Sequence, residues 1–138
     1  MNKKLEQFKF SLENFIIRES HITRNPVKQG KFEFSITPHG GIEHSKSLFT
    51  LHLVIDLKDD NNSFSAKIHA IGIFKFSQTT PEATLDNFFY TNAPAIIFPY
   101  IRAYISALTS LSGLQTINLP VMNLTPLGKT LKENTKTI

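Results

Sequence analysis

The stretch HGGIEH holds the residues with the most evident chemical potential: His39, Glu43 and His44 offer two imidazoles and a carboxylate. Such a set can ligate zinc. The stretch is short, polar and Gly-rich, and no further ligand clusters nearby in sequence, so it reads as a solvated loop. His52 and His69 lie in alternating segments, opposite the apolar sets, and read as water-facing strand positions. Asp59 and Asp60 open the run DDNN and read as turn formers, not as an acid/base pair. Gly40 and Gly41 lack the strand–turn–helix setting of a phosphate loop. No Ser–His–acid set can be placed. The chain has no Cys, which excludes a thiolate nucleophile, a disulfide and cysteine-ligated zinc. The expectation is a protein that is not an enzyme, with no catalytic residues, no metal and no cofactor.

What the sequence supplies instead is apolar surface. Phe accounts for 12 of 138 residues, beside 3 Tyr and no Trp, and charged residues are only 19%. That length fits one domain, expected across residues 1–138 with 1–7 and 132–138 frayed. The net charge of +4 comes without an arginine cluster or a basic helix, so nucleic acid is not an expected partner. The N-terminus MNKKLEQFKF has no apolar run behind its lysines, and no segment reaches the ~20 apolar residues of a membrane span. A cytoplasmic location without direct membrane insertion is expected.

From residue 8 to 76 the dominant period is two. Phe8, Phe10 and Leu12 share a face; the parity then shifts at Asn14, a plausible bulge, and Phe15 and Ile17 carry on. KFEFSIT places Phe32, Phe34 and Ile36 on one side. LFTLHLVIDL does the same with Phe49, Leu51, Leu53, Ile55 and Leu57. After DDNN, the run SFSAKIHAIGIFKF returns with Phe64, Ala66, Ile68, Ala70, Phe74 and Phe76 in phase. This predicts four antiparallel strands with one face packed. TPHGGIEHSKS reads as a turn or bent connection, and residues 79–91 as a connector.

The last third reads as helical. Thr91 or Asn92 is placed to cap a helix with Pro94 in its first turn, and Pro99 should kink it or mark its true start. Ile97, Ile101, Tyr104/Ile105, Leu108 and Leu111 form one apolar stripe. Ile96, Tyr100, Ala103 and Ala107 form a second. Gly113 stops the helix. Residues 114–119 run extended, and Thr125–Pro126 looks like the cap of a short last helix carrying Leu127 and Leu131. The fold class is therefore α+β: a four-stranded antiparallel sheet with two C-terminal helices packed on one face. A helix apolar nearly all round needs two partners. The sheet is one, and a second copy of the chain is the expected other, met through Ile96, Tyr100, Ala103, Tyr104 and Ala107.

The pattern NAPAIIFPY, then Arg102–Ala103, then an IS-L stretch, then LPVMN resembles the C-terminal half of SecB, the bacterial protein-export chaperone, and its SecB-like relatives. The resemblance is strongest over residues 92–127. It implies an ATP-independent holdase for unfolded polypeptides, the preproteins of Sec-dependent export, assembled as a homotetramer, a dimer of dimers. It also implies a client groove between the second strand, the crossover segment and the last helix: Phe32, Phe34, Ile36, Leu114, Ile117, Leu119, Leu124, Leu127 and Leu131. Relatives that serve one client, such as the antitoxin of a toxin–antitoxin system, give the alternative within the family. Outside it stands a non-chaperone α+β oligomeric interaction module.

One departure bears on partners. The export chaperones are acidic and meet the positively charged motor SecA with acidic residues on the exposed sheet face. Here the chain and its tail GKTLKENTKTI are basic. Glu19 matches one acidic contact, but Lys67 stands where the family commonly has Glu, so the resemblance implies a holdase surface and a weakened contact with SecA.

Overall fold

The computed structural model describes residues 9–138; the fraying expected of residues 1–7 lies outside them. The four strands predicted from alternation are β1 (Phe10–Arg24), β2 (Phe32–Glu43), β3 (Leu48–Asp59) and β4 (Phe64–Phe76), and a short β5 (Thr135–Thr137) joins them. The sheet order is β1-β4-β3-β2-β5. All neighbours are antiparallel except β5, which runs parallel to β2. Three helices follow β4 in the chain, α1 (Glu82–Asn87), α2 (Ala93–Leu111) and α3 (Thr125–Glu133), with a π turn (Phe88–Asn92) between the first two. The architecture is α+β, with the long helix and the C-terminal helix over one face of the sheet.

The period-two sets of β3 and β4 form the floor of the core. Phe49, Leu51, Leu53, Ile55, Ile68, Ala70 and Phe74 are fully buried, as are Ile97, Ile101 and Ile105 of α2 and Leu131 of α3. Gly72 sets how closely α2 approaches. A Cβ there would stand 2.8 Å from Cγ2 of Ile97, too close for any real contact, so the bare backbone is the seat of the helix. β1 slips register twice against β4, between Leu12 and Asn14 and between Ile17 and Glu19. The first is the expected bulge; the second was not legible.

Asp59 begins the DDNN turn and also ties it down. It is buried, and its carboxylate accepts from Gly30 N–H at 2.8 Å, Ser63 N–H at 2.8 Å, Phe64 N–H at 3.1 Å and the Ser63 hydroxyl. Burial works against its charge, but these hydrogen bonds outweigh that and hold the carboxyl below its usual range.

Several sequence expectations are corrected. TPHGG is strand, not a turn: β2 runs on to Glu43, and only His44–Lys46 makes a 3₁₀ turn. Gly40 serves close approach there, since a Cβ would fall 2.9 Å from Thr135 Oγ1. Pro38 is tolerated because the even-numbered backbone groups of β2 face away from β3, toward the side where Gly40 N–H meets Asn134 O and Ile42 O meets Ile138 N–H.

Residues 132–138, expected to fray, run from the end of α3 through β5. Lys132 ion-pairs with Asp86 at 3.1 Å, Asn134 Nδ2 donates to Pro38 O at 3.1 Å, and Thr135–Thr137 pair with Gly40–Ile42. The connector at 79–91 is largely helical. Its π turn drives Phe89 into an aromatic cluster, stacked on Phe49 at 4.3 Å and edge-on to Phe76 at 5.2 Å, while Phe88 stacks on Phe10 at 5.1 Å.

Thr91 and Asn92 cap nothing, because the chain enters α2 already helical. Pro99 sits inside an assigned helix that runs unbroken from Ala93, its ring on an exposed face where the freed Ala95 carbonyl can meet water. Thr125 lies within α3; Asn123 Oδ1 accepts its N–H at 3.0 Å, so Asn123 does the capping work. Gly113, at φ +75°, does end α2 in the left-handed region.

Candidate functional site

β2 is an edge strand over half its length. Among the described residues only Thr135–Thr137 pair with its outer side, and they reach Gly40–Ile42 alone. By the same even-number parity, the backbone N–H and C=O groups of Phe32, Phe34 and Ile36 face that open edge. Their side chains lie on the helix face of the sheet and remain half-buried; Phe32 meets Phe64 edge-on at 5.9 Å. An unpaired edge bordered by part-exposed aromatic surface can accept an added extended chain by main-chain hydrogen bonds, whatever its sequence.

The crossover, residues 112–124, is held by side chains of α2. Arg102 Nε donates to Leu119 O at 3.0 Å. The Ser106 hydroxyl faces Ile117 O at 3.2 Å and Asn118 Oδ1 at 2.9 Å. Thr109 Oγ1 accepts from Ile117 N–H at 2.9 Å and donates to Ile105 O at 2.9 Å. A polar stripe at helical spacing thus satisfies a backbone that has no sheet partner. Sequence reasoning missed it; the signal was the row Arg102, Ser106, Thr109 in an otherwise apolar helix. Ile117 and Leu119 are buried by this docking, while Leu114 and Leu124 are half-buried.

The nine residues expected to line a client groove differ in burial. Phe32, Phe34, Ile36, Leu114, Leu124 and Leu127 keep partial exposure, whereas Ile117, Leu119 and Leu131 are buried. α3 carries Leu131 into the core and packs on β2 and the π turn.

On α2 the outward set differs from the sheet-facing one. Tyr100 is 51% exposed and Leu111 is 87% exposed, so Leu111 does not continue the sheet stripe; Thr109 does. Ala103 and Ala107 are exposed, Ile96 and Tyr104 half-buried, and Tyr100 stacks on Phe15 at 5.2 Å.

The opposite face of the sheet is polar and open. Lys67 is exposed on it, across from Asp56 on β3 and His21 on β1, and with Glu33 and Lys58 it lines a depression of about 590 Å³. Glu19 lies opposite His69 in the same ladder and 3.2 Å from His21 Nε2.

HGGIEH, read from the sequence as a solvated loop, is strand as far as Glu43, and His39, Glu43 and His44 do not come together. Glu43 pairs with Lys46 at 3.6 Å. His39 instead faces His52 across the β2/β3 ladder, their rings stacked at 4.6 Å, and His52 Nδ1 lies 2.8 Å from His69 Nε2. Strand extension through HGG aligned them. His52 and His69 are half-buried, not freely solvated. Burial first, then the field of His39, His69 and Arg18, pulls the His52 imidazole down to about 4. Burial and then Arg18 lower His69 too, against the pull of Glu19. Both are neutral near pH 7.

The antiparallel sheet β1-β4-β3-β2, with a long helix over one face and an open polar face opposite, is a SecB-like fold. The family model described as "Preprotein translocase subunit SecB" matches residues 10–133. The chain belongs to the SecB family, whose members are non-enzymatic chaperones.

A SecB-like chaperone from Mycobacterium tuberculosis, solved in complex with a ChAD peptide from the HigA1 antitoxin, is similar at a TM-score of 0.71 and 15% identity. The match covers 88% of this chain and 92% of that one, and it shows the fold. A protein of unknown function from Streptococcus agalactiae matches at a TM-score of 0.49 and 8% identity, over 83% and 98% of the two chains, too distant to carry an argument. No curated protein matches the chain. No helix among the described residues is long and apolar enough to cross a membrane.

Proposed function

We propose that the protein is an ATP-independent holdase of the cytoplasm, a dimer of dimers, that keeps unfolded polypeptides, including preproteins for Sec-dependent export, from aggregating. The observation that carries the reading is the unpaired half of β2 with Phe32, Phe34 and Ile36 part-exposed beside it. Main-chain pairing at such an edge tolerates any client sequence, and Phe adds apolar contact at low side-chain entropy cost. Leu114, Leu124 and Leu127 extend the same apolar surface. Ile117, Leu119 and Leu131 support it from beneath.

The test is light scattering by an aggregating unfolded client. The protein should suppress it equally with and without ATP. Replacing Phe32 and Phe34 together by Ser should weaken suppression about 10-fold or more, with the native circular dichroism kept. A strict ATP requirement, or full protection by the double variant, overturns the reading.

A second reading, a chaperone dedicated to one client, is favoured by the similarity to the antitoxin-peptide complex and by the charge of the open sheet face. Lys67 turns an attractive contact with a basic motor such as SecA into a repulsive one. Weak or absent motor binding is expected of the natural protein by titration calorimetry. Lys67→Glu should gain about 10-fold, and the gain should shrink as salt rises. Submicromolar binding of the motor by the unmodified protein would instead favour export.

A further inference from the structure

We propose that His39, His52 and His69 form a binding site for a divalent transition-metal ion of the zinc type, on the sheet face that the helices leave open. The three residues come from three neighbouring strands. His39 and His52 are direct partners across the β2/β3 ladder, and His69 lies one diagonal step away, opposite Val54 in the β3/β4 ladder. One ring nitrogen from each lies within 4.8 Å of the other two. All three side chains are half-buried.

The spacing fits one ion. Three nitrogens on a tetrahedral centre with Zn–N bonds of about 2.0–2.1 Å stand about 3.3 Å apart. The His52–His69 pair, hydrogen-bonded at 2.8 Å, lies inside that separation, so an ion replaces this hydrogen bond and its proton moves to the other nitrogen of the donating ring or to water. The widest separation, no more than 4.8 Å, exceeds it by at most about 1.5 Å. Rotation about the side-chain torsions corrects both without moving the backbone, which the ladder hydrogen bonds hold in place. A site carried on paired strands is preorganised in a way that one on a loop is not.

The donor set selects the metal. Imidazole nitrogens suit Zn²⁺, Ni²⁺ and Cu²⁺, whereas Ca²⁺ and Mg²⁺ require oxygen ligands. The part-buried setting favours neutral imidazoles, whose lone pairs are the ligating electrons. Arg18 opposes a cation here, while Glu19, opposite His69 in the β1/β4 ladder, offsets it. Three protein nitrogens leave a coordination position open to water or to a donor from a docked chain. Loading would pin β2, β3 and β4 together through their side chains.

The experiment uses the full-length, tag-free protein, stripped with a chelator and titrated at neutral pH with zinc chloride in a calorimeter. One ion per chain with micromolar or tighter affinity is expected. His39→Gln, His52→Gln and His69→Gln should each weaken binding at least about 10-fold, no less than losing a hydrogen-bond partner of a metal ligand does. His44→Gln should leave it unchanged. Cobalt(II) should give a tetrahedral visible spectrum in the natural protein and lose it in His69→Gln. If a variant loses its native circular dichroism, the imidazole C–H proton resonances of the natural protein decide: three should shift on adding zinc. Absence of binding at about 100 µM zinc, survival of binding in a folded His69→Gln variant, or unshifted resonances overturns the proposal.

Discussion

Phe89→Ala should cost about 3–5 kcal/mol of stability, the range for removing a buried aromatic ring from a packed core. The ring is 2% exposed and stacks on Phe49 while meeting Phe76 and Phe10 at an angle. A domain of this size has about 5–15 kcal/mol in all, so the loss consumes a large part of it. Phe88→Ala should cost distinctly less, since Phe88 keeps part of its surface in water. The pair separates a general effect of losing an aromatic from the specific effect of the π turn, which aims Phe89 inward. Urea unfolding of both variants measures the difference. A loss under about 1 kcal/mol at Phe89, or equal losses at both positions, would show that the inward aim the π turn gives Phe89 adds nothing to stability.

Ala103→Glu should break the assembly while leaving the fold alone. Ala103 is exposed in the single chain, so a carboxylate there is harmless to the monomer, and Glu is nearly as good a helix former as Ala. If the face of Ile96, Tyr100, Ala103, Tyr104 and Ala107 meets another copy, the same carboxylate is buried without a partner. That costs about 3–5 kcal/mol, or a roughly 10²–10⁴-fold weaker association. Sedimentation should give a multiple of the chain mass for the natural protein and a smaller multiple for the variant, at unchanged circular dichroism. A natural protein that sediments as one chain at micromolar concentration contradicts the interface.

The four main strands were legible because each carries a period-two set, broken in β1 where its register shifts; LFTLHLVIDL aligns five apolar residues without an exception. The helix of Ile97, Ile101 and Ile105 was legible for the same reason at its own period. What failed was punctuation. Pro38, Gly40 and Gly41 carry turn chemistry in any local reading, yet they lie in a strand, because the missing N–H of Pro38 falls on the side away from β3 and the missing side chain of Gly40 makes room for Thr135 and Phe49. Thr135–Thr137 has no pattern of its own; it becomes a strand only because β2 offers an edge.

The same local limit hid the histidines. Residues 39, 52 and 69 look unrelated along the chain, and the register that unites them depends on reading HGG as strand. The groove residues were named from a resemblance, and alternation alone could not have told Phe34, which stays part-exposed, from Leu53, which does not. That difference is set by how far α2 and α3 extend over each strand.

The seat at Gly72 has a consequence for descent. Because a methyl at position 72 collides with Ile97 Cγ2, neither position is free to vary alone. A lineage can enlarge residue 72 only after residue 97 has become smaller, and a lineage that has shrunk residue 97 carries a hole until residue 72 fills it. The two codons, 25 positions apart in the chain, are thus inherited as one unit, and the order in which they change is set by which intermediate, the clash or the hole, leaves the helix on its sheet.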